Sequence, residues 1–124
     1  MTIAEVSKMY GLTQDTLRYY ERVGMIPPVH RAANGQRDYT EEDCGWVGLA
    51  KCMRSAGLPV EAMVEYVRLA QEGDGTIAAR RQLLMDQREH LYAQREAIEN
   101  TIERLNYKIS RYDAALETGE LNWD

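Results

Sequence analysis

The 124-residue sequence has no long hydrophobic run and only two cysteines, and both shortages exclude whole classes of protein. No apolar stretch approaches the roughly 18 residues of a membrane span, so we expect no membrane partner. The first residues have neither the basic region nor the apolar stretch of a signal peptide, which predicts a cytoplasmic protein. Cys44 and Cys52 should stay reduced there. Eight residues apart on one predicted helix, they are also separated by roughly 12 Å, beyond disulfide reach.

The sequence also lacks the residue groupings of an enzyme. Its two histidines, His30 and His90, stand alone. There is no paired nucleophile and base, no glycine-rich phosphate loop and no pair of metal ligands. We therefore expect no catalytic residues, no cofactor and no metal.

The net charge of −5 argues against nucleic acid as a partner until its distribution is considered. From Met1 to Arg54 the chain carries seven Lys and Arg against seven Asp and Glu, so the whole acidic excess lies beyond Arg54. Proteins contact DNA through local patches. The neutral N-terminal part therefore remains a candidate DNA-binding region.

Two short helices are predicted at the start of the chain. Apolar spacing predicts the first over residues 3–10, and Thr13 is placed to cap a second over residues 14–23. Leu17 and Tyr20 form the apolar face of the second helix. Two short helices joined by a tight turn predict a helix-turn-helix.

A β-hairpin is predicted next, at Asn34-Gly35, because both residues tolerate the positive φ of a type I′ turn. This hairpin is the candidate wing. Residues 40–43 (T-E-E-D) resemble a capping box that starts a third helix through about Ala56, and Pro59 lies at the start of a fourth. The elements over residues 1–72 together predict a winged helix-turn-helix domain.

The C-terminal part predicts one long helix that needs a partner. Residues 73–75 (G-D-G) are the predicted hinge, residues 76–113 contain no Gly or Pro, and residues 114–124 form the predicted tail. At about 1.5 Å per residue the helix would be roughly 55 Å long, too long for this domain to cover, which predicts a homodimer. Its apolar stripes follow a seven-residue repeat, as in a coiled coil. The predicted contact residues are Ile77, Leu84, Leu91, Ile98, Ile102, Leu105, Ile109 and Tyr112. One stripe starts at Ile77 and recurs every seven residues. A second stripe lies four residues further on at each step, and it begins with Arg81, Arg88 and Arg95 before it continues with Ile102 and Ile109.

Three motifs together carry a family resemblance. The second helix and its sequel read T-L-R-Y-Y-E-R-V-G-M-I-P-P, the wing reads R-x-x-x-G-Q-R-D-Y, and the third helix starts T-E-E-D. With the long C-terminal helix they cover essentially the whole chain, which resembles the MerR family of transcriptional regulators. The resemblance implies a mainly α fold, in which a winged helix-turn-helix domain precedes a helix that forms an antiparallel coiled-coil dimer.

The resemblance also implies a function. The homodimer would bind double-stranded promoter DNA at a pseudo-palindromic site and activate by distorting an over-long promoter spacer. RNA polymerase would thus be reached indirectly, through the DNA. Helical spacing turns Thr16, Arg18 and Tyr19 outward, and the resemblance adds the other contacts. The predicted DNA-binding residues are Thr16, Arg18, Tyr19, Tyr20, Arg31, Arg37, Tyr39 and Arg54.

Cys52 is the predicted effector-sensing residue. Its segment, K-C-M-R-S-A-G, resembles the subgroup that responds to aldehydes, other electrophiles or nitrosative stress through one cysteine in this helix. Metal-sensing relatives carry cysteines near the end of the long helix, but residues 113–124 hold no Cys or His. One alternative is a regulator with a metal or other effector, in which Cys52 and Cys44 are structural. The other is a coiled-coil interaction module without a DNA role.

Overall fold

The computed structural model describes residues 1–123 as a series of helices. They are α1 (Ile3–Tyr10), α2 (Gln14–Val23), α3 (Glu41–Ser55), α4 (Val60–Glu72) and α5 (Ile77–Thr118), with a 3-10 turn (Asp74–Thr76) before α5. The predicted mainly α fold, with a helix-turn-helix first and a long helix last, is confirmed. The chain forms two compact units, one of residues 1–87 and one from Arg88 onward. The predicted division into a DNA-binding domain (residues 1–72), a hinge (residues 73–75) and a dimerisation helix from residue 76 stays a prediction.

Three helices of the first unit begin at a threonine. The hydroxyls of Thr2, Thr13 and Thr40 each accept a hydrogen bond from the backbone N–H three residues on, at 3.0 to 3.2 Å. Glu5 and Asp43 complete capping boxes at the first and third of these. Because the first N–H groups of a helix have no partner within it, these bonds fix where the helices start.

The core of the first unit lies between α1, α2, α3 and α4. Met25 and Ile26 are buried as well, so the segment that leads from α2 to the wing belongs to the core. None of the helices within residues 1–123 is both long and apolar enough to cross a membrane. The largest side chains with almost no exposure are Val6, Leu17, Met25, Ile26, Tyr39, Val47 and Met63.

The wing is a hairpin, but its turn differs from the predicted type I′ turn. Arg31 and Arg37 form one antiparallel bridge. Gly35 has a φ of 84°, whereas Asn34 has no positive φ. The Asn34 side chain instead accepts a hydrogen bond from the Gln36 N–H at 3.0 Å. The predicted turn type was therefore wrong: Gly35 supplies the left-handed conformation, and Asn34 stabilises the turn with its side chain.

The residues predicted as a hinge form a hydrogen-bonded corner within the first unit. Gly73 ends α4 with a φ of 95°. The Thr76 hydroxyl lies 2.6 Å from the Leu69 carbonyl oxygen and 2.8 Å from that of Gly73. Arg80 donates to the Gly73 carbonyl at 3.2 Å and to the Thr76 hydroxyl at 3.0 Å. The end of α4 is thus tied to the first turn of α5, and a hinge role for this corner stays a prediction.

Helix α5 ends later than the sequence analysis placed it. No Gly or Pro interrupts residues 114–118, and the helix stops before Gly119, which has a φ of 81°. The predicted end at Asp113 was therefore too early. None of the residues of α5, all of which the structure describes, is buried in the single chain. Seven of the predicted seam residues are 40 to 60% exposed: Ile77, Leu84, Ile98, Ile102, Leu105, Ile109 and Tyr112.

Candidate DNA-binding interface

Helix α2 separates its side chains as the sequence predicts. Leu17 is fully buried and Tyr20 is 5% exposed, so both face the core. Arg18 and Tyr19 lie on the exposed face, and Thr16 is half-buried beside them. Arg18 pairs with Asp15 one turn earlier at 2.8 Å. The helix therefore offers a polar outer face with hydrogen-bond donors, which suits contact with DNA phosphates and bases.

A cleft of about 390 Å³ lies between α2 and the wing. It is lined by Arg18 of α2, by Arg31 and Arg37 of the wing bridge, and by the start of α1. Three of the predicted DNA-binding residues, far apart in the sequence, thus share one surface. Guanidinium groups match the geometry of phosphate oxygens, so the cleft suits a DNA backbone phosphate.

Glu21 holds the wing against α2, a role that the sequence analysis did not assign. Its carboxylate accepts a hydrogen bond from Arg37 Nε at 2.7 Å, and Arg31 lies 3.7 Å away. Its second oxygen accepts from the Val29 N–H at 2.8 Å. The Glu21 side chain is only 13% exposed. The sequence signal that could have found it is the motif Y-Y-E-R, which puts an acid on α2 within reach of the arginines of the wing.

Tyr20 and Tyr39, both predicted DNA contacts, have buried rings. Tyr39 is 2% exposed, and its hydroxyl has no hydrogen-bond partner within residues 1–123. Burial is the main reason that the pKa of each phenol is raised above its ordinary value. The main role of both rings is therefore to pack in the core. Their contacts with DNA stay predictions and would involve little of either ring.

Arg54, the remaining predicted phosphate contact, lies at the end of α3. Its guanidinium donates to the Leu58 carbonyl at 2.7 Å and so stabilises the turn into α4. The positive charge also opposes the rise in the pKa of Tyr20, which places it near α2. Arg54 thus stabilises the α3–α4 turn on the side facing α2, while its contact with DNA stays a prediction.

The two free cysteines lie in different environments on α3. Cys44 is buried, which raises the pKa of its thiol, whereas Cys52 is exposed in the single chain. The exposure of Cys52 does not favour the alternative in which this residue is structural. Within residues 1–123, no three His, Cys, Asp or Glu side chains lie close enough to hold a metal ion. A metal site at Cys52 would need ligands from a second chain.

Comparison with known proteins places these elements in a family. A family model described as a MerR HTH family regulatory protein matches residues 1–69. The chain is 57% identical over 91 residues to the HTH-type transcriptional regulator AdhR of Bacillus subtilis, across 73% of this chain. That match spans 65% of AdhR, just under two thirds of its length. An HTH-type transcriptional regulator from Haemophilus influenzae is 28% identical over 120 residues, across 97% of this chain and 89% of that one.

Solved structures agree with the sequence matches. A MerR family transcriptional regulator from Listeria monocytogenes superposes with a TM-score of 0.91 at 40% identity, covering 96% of this chain and 90% of that one. HiNmlR, a MerR family regulator lacking the sensor domain and bound to promoter DNA, gives 0.85 at 28% identity, covering 97% and 95%. The sequence resemblance is confirmed, and the relatives are regulators and not enzymes. The chain belongs to the MerR family of helix-turn-helix transcriptional regulators.

Proposed function

We propose that the protein binds promoter DNA as a homodimer and activates transcription in response to aldehydes or other thiol-reactive compounds through Cys52. The cleft that gathers Arg18, Arg31 and Arg37 carries the DNA-binding part of this proposal. Phosphate contacts of this kind fix the position of a protein on the duplex, while the outer face of α2 reads base edges in the major groove. HiNmlR, which shares the fold, was solved on promoter DNA.

Dimerisation supplies the second DNA-binding unit. The seam of α5 is exposed in the single chain, and a helix of this length gains its stability from packing against a partner. A two-fold dimer presents two copies of α2 to two half-sites, which is why a pseudo-palindromic promoter is expected.

Activation would act on the shape of the DNA. We infer that the bound dimer bends and untwists an over-long spacer until both promoter elements face the polymerase, because deformation of DNA can be repaid by added protein contacts. The support is the family membership, together with the two DNA-binding units that the proposed dimer would bring to one promoter. A promoter whose spacer is shortened to the optimal length should be transcribed without the regulator. Continued dependence on the regulator would contradict spacer distortion.

In this proposal Cys52 converts a chemical signal into movement. An exposed thiol can add across an aldehyde carbonyl: the sulfur–carbon bond forms, the carbonyl π bond breaks, and the thiol proton ends on the oxygen. Cys52 lies two residues before Arg54, which holds the turn into α4. Such movement requires that the second copy of the proposed dimer cover Cys52. Packed helices then respond to an added group by discrete shifts, so an adduct here would alter how the dimer shapes DNA more than how tightly it binds.

The experiment compares Cys52→Ala with Cys44→Ala. Transcription from the cognate promoter is measured under an aldehyde, a thiol oxidant and zinc, beside promoter affinity. We expect Cys52→Ala to keep its affinity within a few-fold but to lose induction by aldehyde, and Cys44→Ala to respond like the parent. Full aldehyde induction in Cys52→Ala would overturn the sensing role. Induction by zinc that a chelator abolishes would favour the metal-dependent alternative.

A further inference from the structure

The tip of the wing is the dipeptide Asn34-Gly35, and both of its residues are exposed. Asn34 is the chain's only asparagine that precedes a glycine; Asn100, Asn106 and Asn122 precede Thr, Tyr and Trp. A Cβ added to Gly35 would meet nothing within 4 Å, so no neighbouring group crowds this point of the backbone. An asparagine side chain can react with the backbone nitrogen that follows it, and a glycine leaves that nitrogen unshielded.

The Asn34 side chain is folded back over the peptide that follows it. Its Oδ1 accepts a hydrogen bond from the Gln36 N–H at 3.0 Å. The ring closed by this bond contains the Asn34 Cγ and the Gly35 nitrogen, which are the two atoms that join when a cyclic imide forms. The same N–H lies where negative charge develops on Oδ1 during attack at Cγ, and it stabilises that charge. The turn therefore holds the reacting atoms near each other and assists the attack.

Two contacts act on the attacking nitrogen in opposite directions. The Gly35 N–H donates to the Ala32 carbonyl at 2.9 Å, and this bond has to open before the nitrogen can attack. Opening the tip of so short a hairpin costs little. Arg31 Nη1 donates to the Gly35 carbonyl at 3.3 Å, and its positive charge favours loss of the proton from the Gly35 nitrogen. The folded wing therefore slows the reaction relative to an unstructured peptide without preventing it.

The reaction needs no reagent except water. The Gly35 nitrogen forms a bond to the Asn34 Cγ, and the side-chain nitrogen leaves as ammonia with the proton that the Gly35 nitrogen gives up. Water then opens the cyclic imide. Addition of water at Cγ leaves an aspartate in an ordinary backbone. Addition at the Asn34 backbone carbonyl leaves an isoaspartate, in which the side-chain carbon has become part of the main chain.

Either product puts a carboxylate at the wing tip in place of a neutral amide. Gly35 and Gln36 line the cleft together with Arg18, Arg31 and Arg37. A negative charge beside these arginines repels DNA phosphates and competes with them for the guanidinium groups. Promoter affinity should therefore fall, and it should become less dependent on salt because part of the positive charge of the cleft is neutralised.

Isoaspartate also changes the shape of the wing. It lengthens the main chain between residues 34 and 35, inside the turn that sets Arg31 opposite Arg37. That turn includes a hydrogen bond from the Ala32 N–H to the Gln36 carbonyl at 2.8 Å. Because the length of a hairpin loop fixes the pairing of its arms, a longer loop disturbs this bond and the bridge. Isoaspartate should therefore lower promoter affinity more than aspartate does.

We propose that Asn34 is a site of spontaneous deamidation, which converts the wing tip to aspartate or isoaspartate and progressively lowers the affinity of the protein for its promoter. The chemical step stands on the geometry of the wing alone. Its consequence rests on the proposed DNA-binding role of the cleft. Both tip residues are exposed, so the modified protein keeps its core and stays folded.

Peptide mapping of the intact chain tests the chemical step. The protein is incubated with a thiol reductant at mildly acidic and mildly alkaline pH, and the replacement of NH2 by OH is followed by mass, with isoaspartate measured alongside. Modification should be about ten-fold or more faster at Asn34 than at Asn106 in the interior of α5, because a turn opens more readily than a helix. The rate should rise with pH, since the Gly35 nitrogen attacks without its proton. Equal rates at the two asparagines, or a rate independent of pH, would overturn the modification.

Promoter affinity tests the consequence, with two substitutions at the same position. Asn34→Asp carries the new charge in an ordinary backbone. Asn34→Ser cannot deamidate, but it keeps a side-chain oxygen that can accept a hydrogen bond from the Gln36 N–H. Asn34→Asp should bind the promoter about three- to ten-fold more weakly than the parent at low salt, with a shallower dependence on salt. Asn34→Ser should bind like the unmodified parent.

Incubation of the parent beside Asn34→Ser separates this modification from other damage. The parent should lose affinity in proportion to the fraction modified at Asn34, and Asn34→Ser should keep its affinity. Equal losses in the two proteins, or no loss in an extensively modified parent, would overturn the consequence. An unmodified parent that fails to bind promoter DNA would instead contradict the DNA-binding proposal, while the mass measurement would still decide whether Asn34 is modified.

Discussion

The two compact units of the chain differ in where their apolar side chains lie: the first unit buries most of them, and the second leaves them exposed. All of the buried hydrophobic residues described lie between Val6 and Leu69, in the first unit. The second unit, from Arg88 onward, contributes none of them, although it carries large apolar side chains along α5, all of which are exposed or partly exposed in the single chain. The first unit therefore stabilises itself, whereas in the proposed homodimer the second would depend on a partner and hence on protein concentration.

The largest expected effect breaks the second unit and spares the first. Leu91→Asp puts a charge at the centre of the seam and should cost several kcal/mol of dimer stability. Sedimentation should show a monomer at micromolar concentration, and promoter binding should be lost with it. Ala93→Asp places the same charge off the seam and should remain a dimer. Dimeric Leu91→Asp would contradict the assignment of the seam.

The converse change breaks the first unit. Leu17→Ala removes a fully buried side chain and should lower the free energy of unfolding by about 2 to 5 kcal/mol, measured by thermal or denaturant unfolding. Leu116→Ala makes the same chemical change at a site that is 85% exposed in the single chain. It should leave the unfolding of the first unit unchanged. Equal losses in the two variants would mean that the units do not differ as described.

A smaller effect separates DNA binding from both kinds of stability. Arg18→Ala or Arg37→Ala should weaken promoter binding by about 1 to 3 kcal/mol each while the dimer stays intact. Affinity should fall steeply with salt despite the acidic net charge. Arg68→Ala is a suitable control, because that side chain pairs with Glu65 and Glu72 on α4, outside the cleft. Unchanged affinity in both cleft variants would remove the cleft from the interface.

The smallest effects concern two glycines with open space around them. A Cβ at Gly35 or at Gly45 would meet nothing within 4 Å, but Gly35 has a φ of +84° and Gly45 lies in the interior of α3. Gly35→Ala should cost about 1 kcal/mol of stability, because the left-handed conformation disfavours a side chain. Gly45→Ala should gain about 0.5 to 1 kcal/mol. Thermal unfolding of the two variants should therefore shift in opposite directions.

How much the sequence predicts depends on whether the signal is local or arises only in the folded chain. Threonine caps and apolar spacing are local signals, and they placed α1, α2 and α3 almost to the residue. The turn of the wing was wrong in type, since Asn-Gly fits more than one turn and the choice depends on the flanking residues. Glu21 was missed because its partners, Arg37 and Val29, approach it only in the folded chain.

The carboxylate of Glu21 also affects the free energy that the wing would gain by binding DNA. In the free protein it already occupies Arg37 at 2.7 Å, as an internal counter-ion. A DNA phosphate that engages Arg37 therefore exchanges one anion for another, and the free energy gained is the difference between two ion pairs. A polyanion whose charged groups are not held in a fixed position at the cleft would gain little binding free energy from such an exchange. A duplex that holds a phosphate in the cleft while α2 lies in the major groove would gain more, so in the proposed complex the wing would contribute to discrimination as well as to attraction.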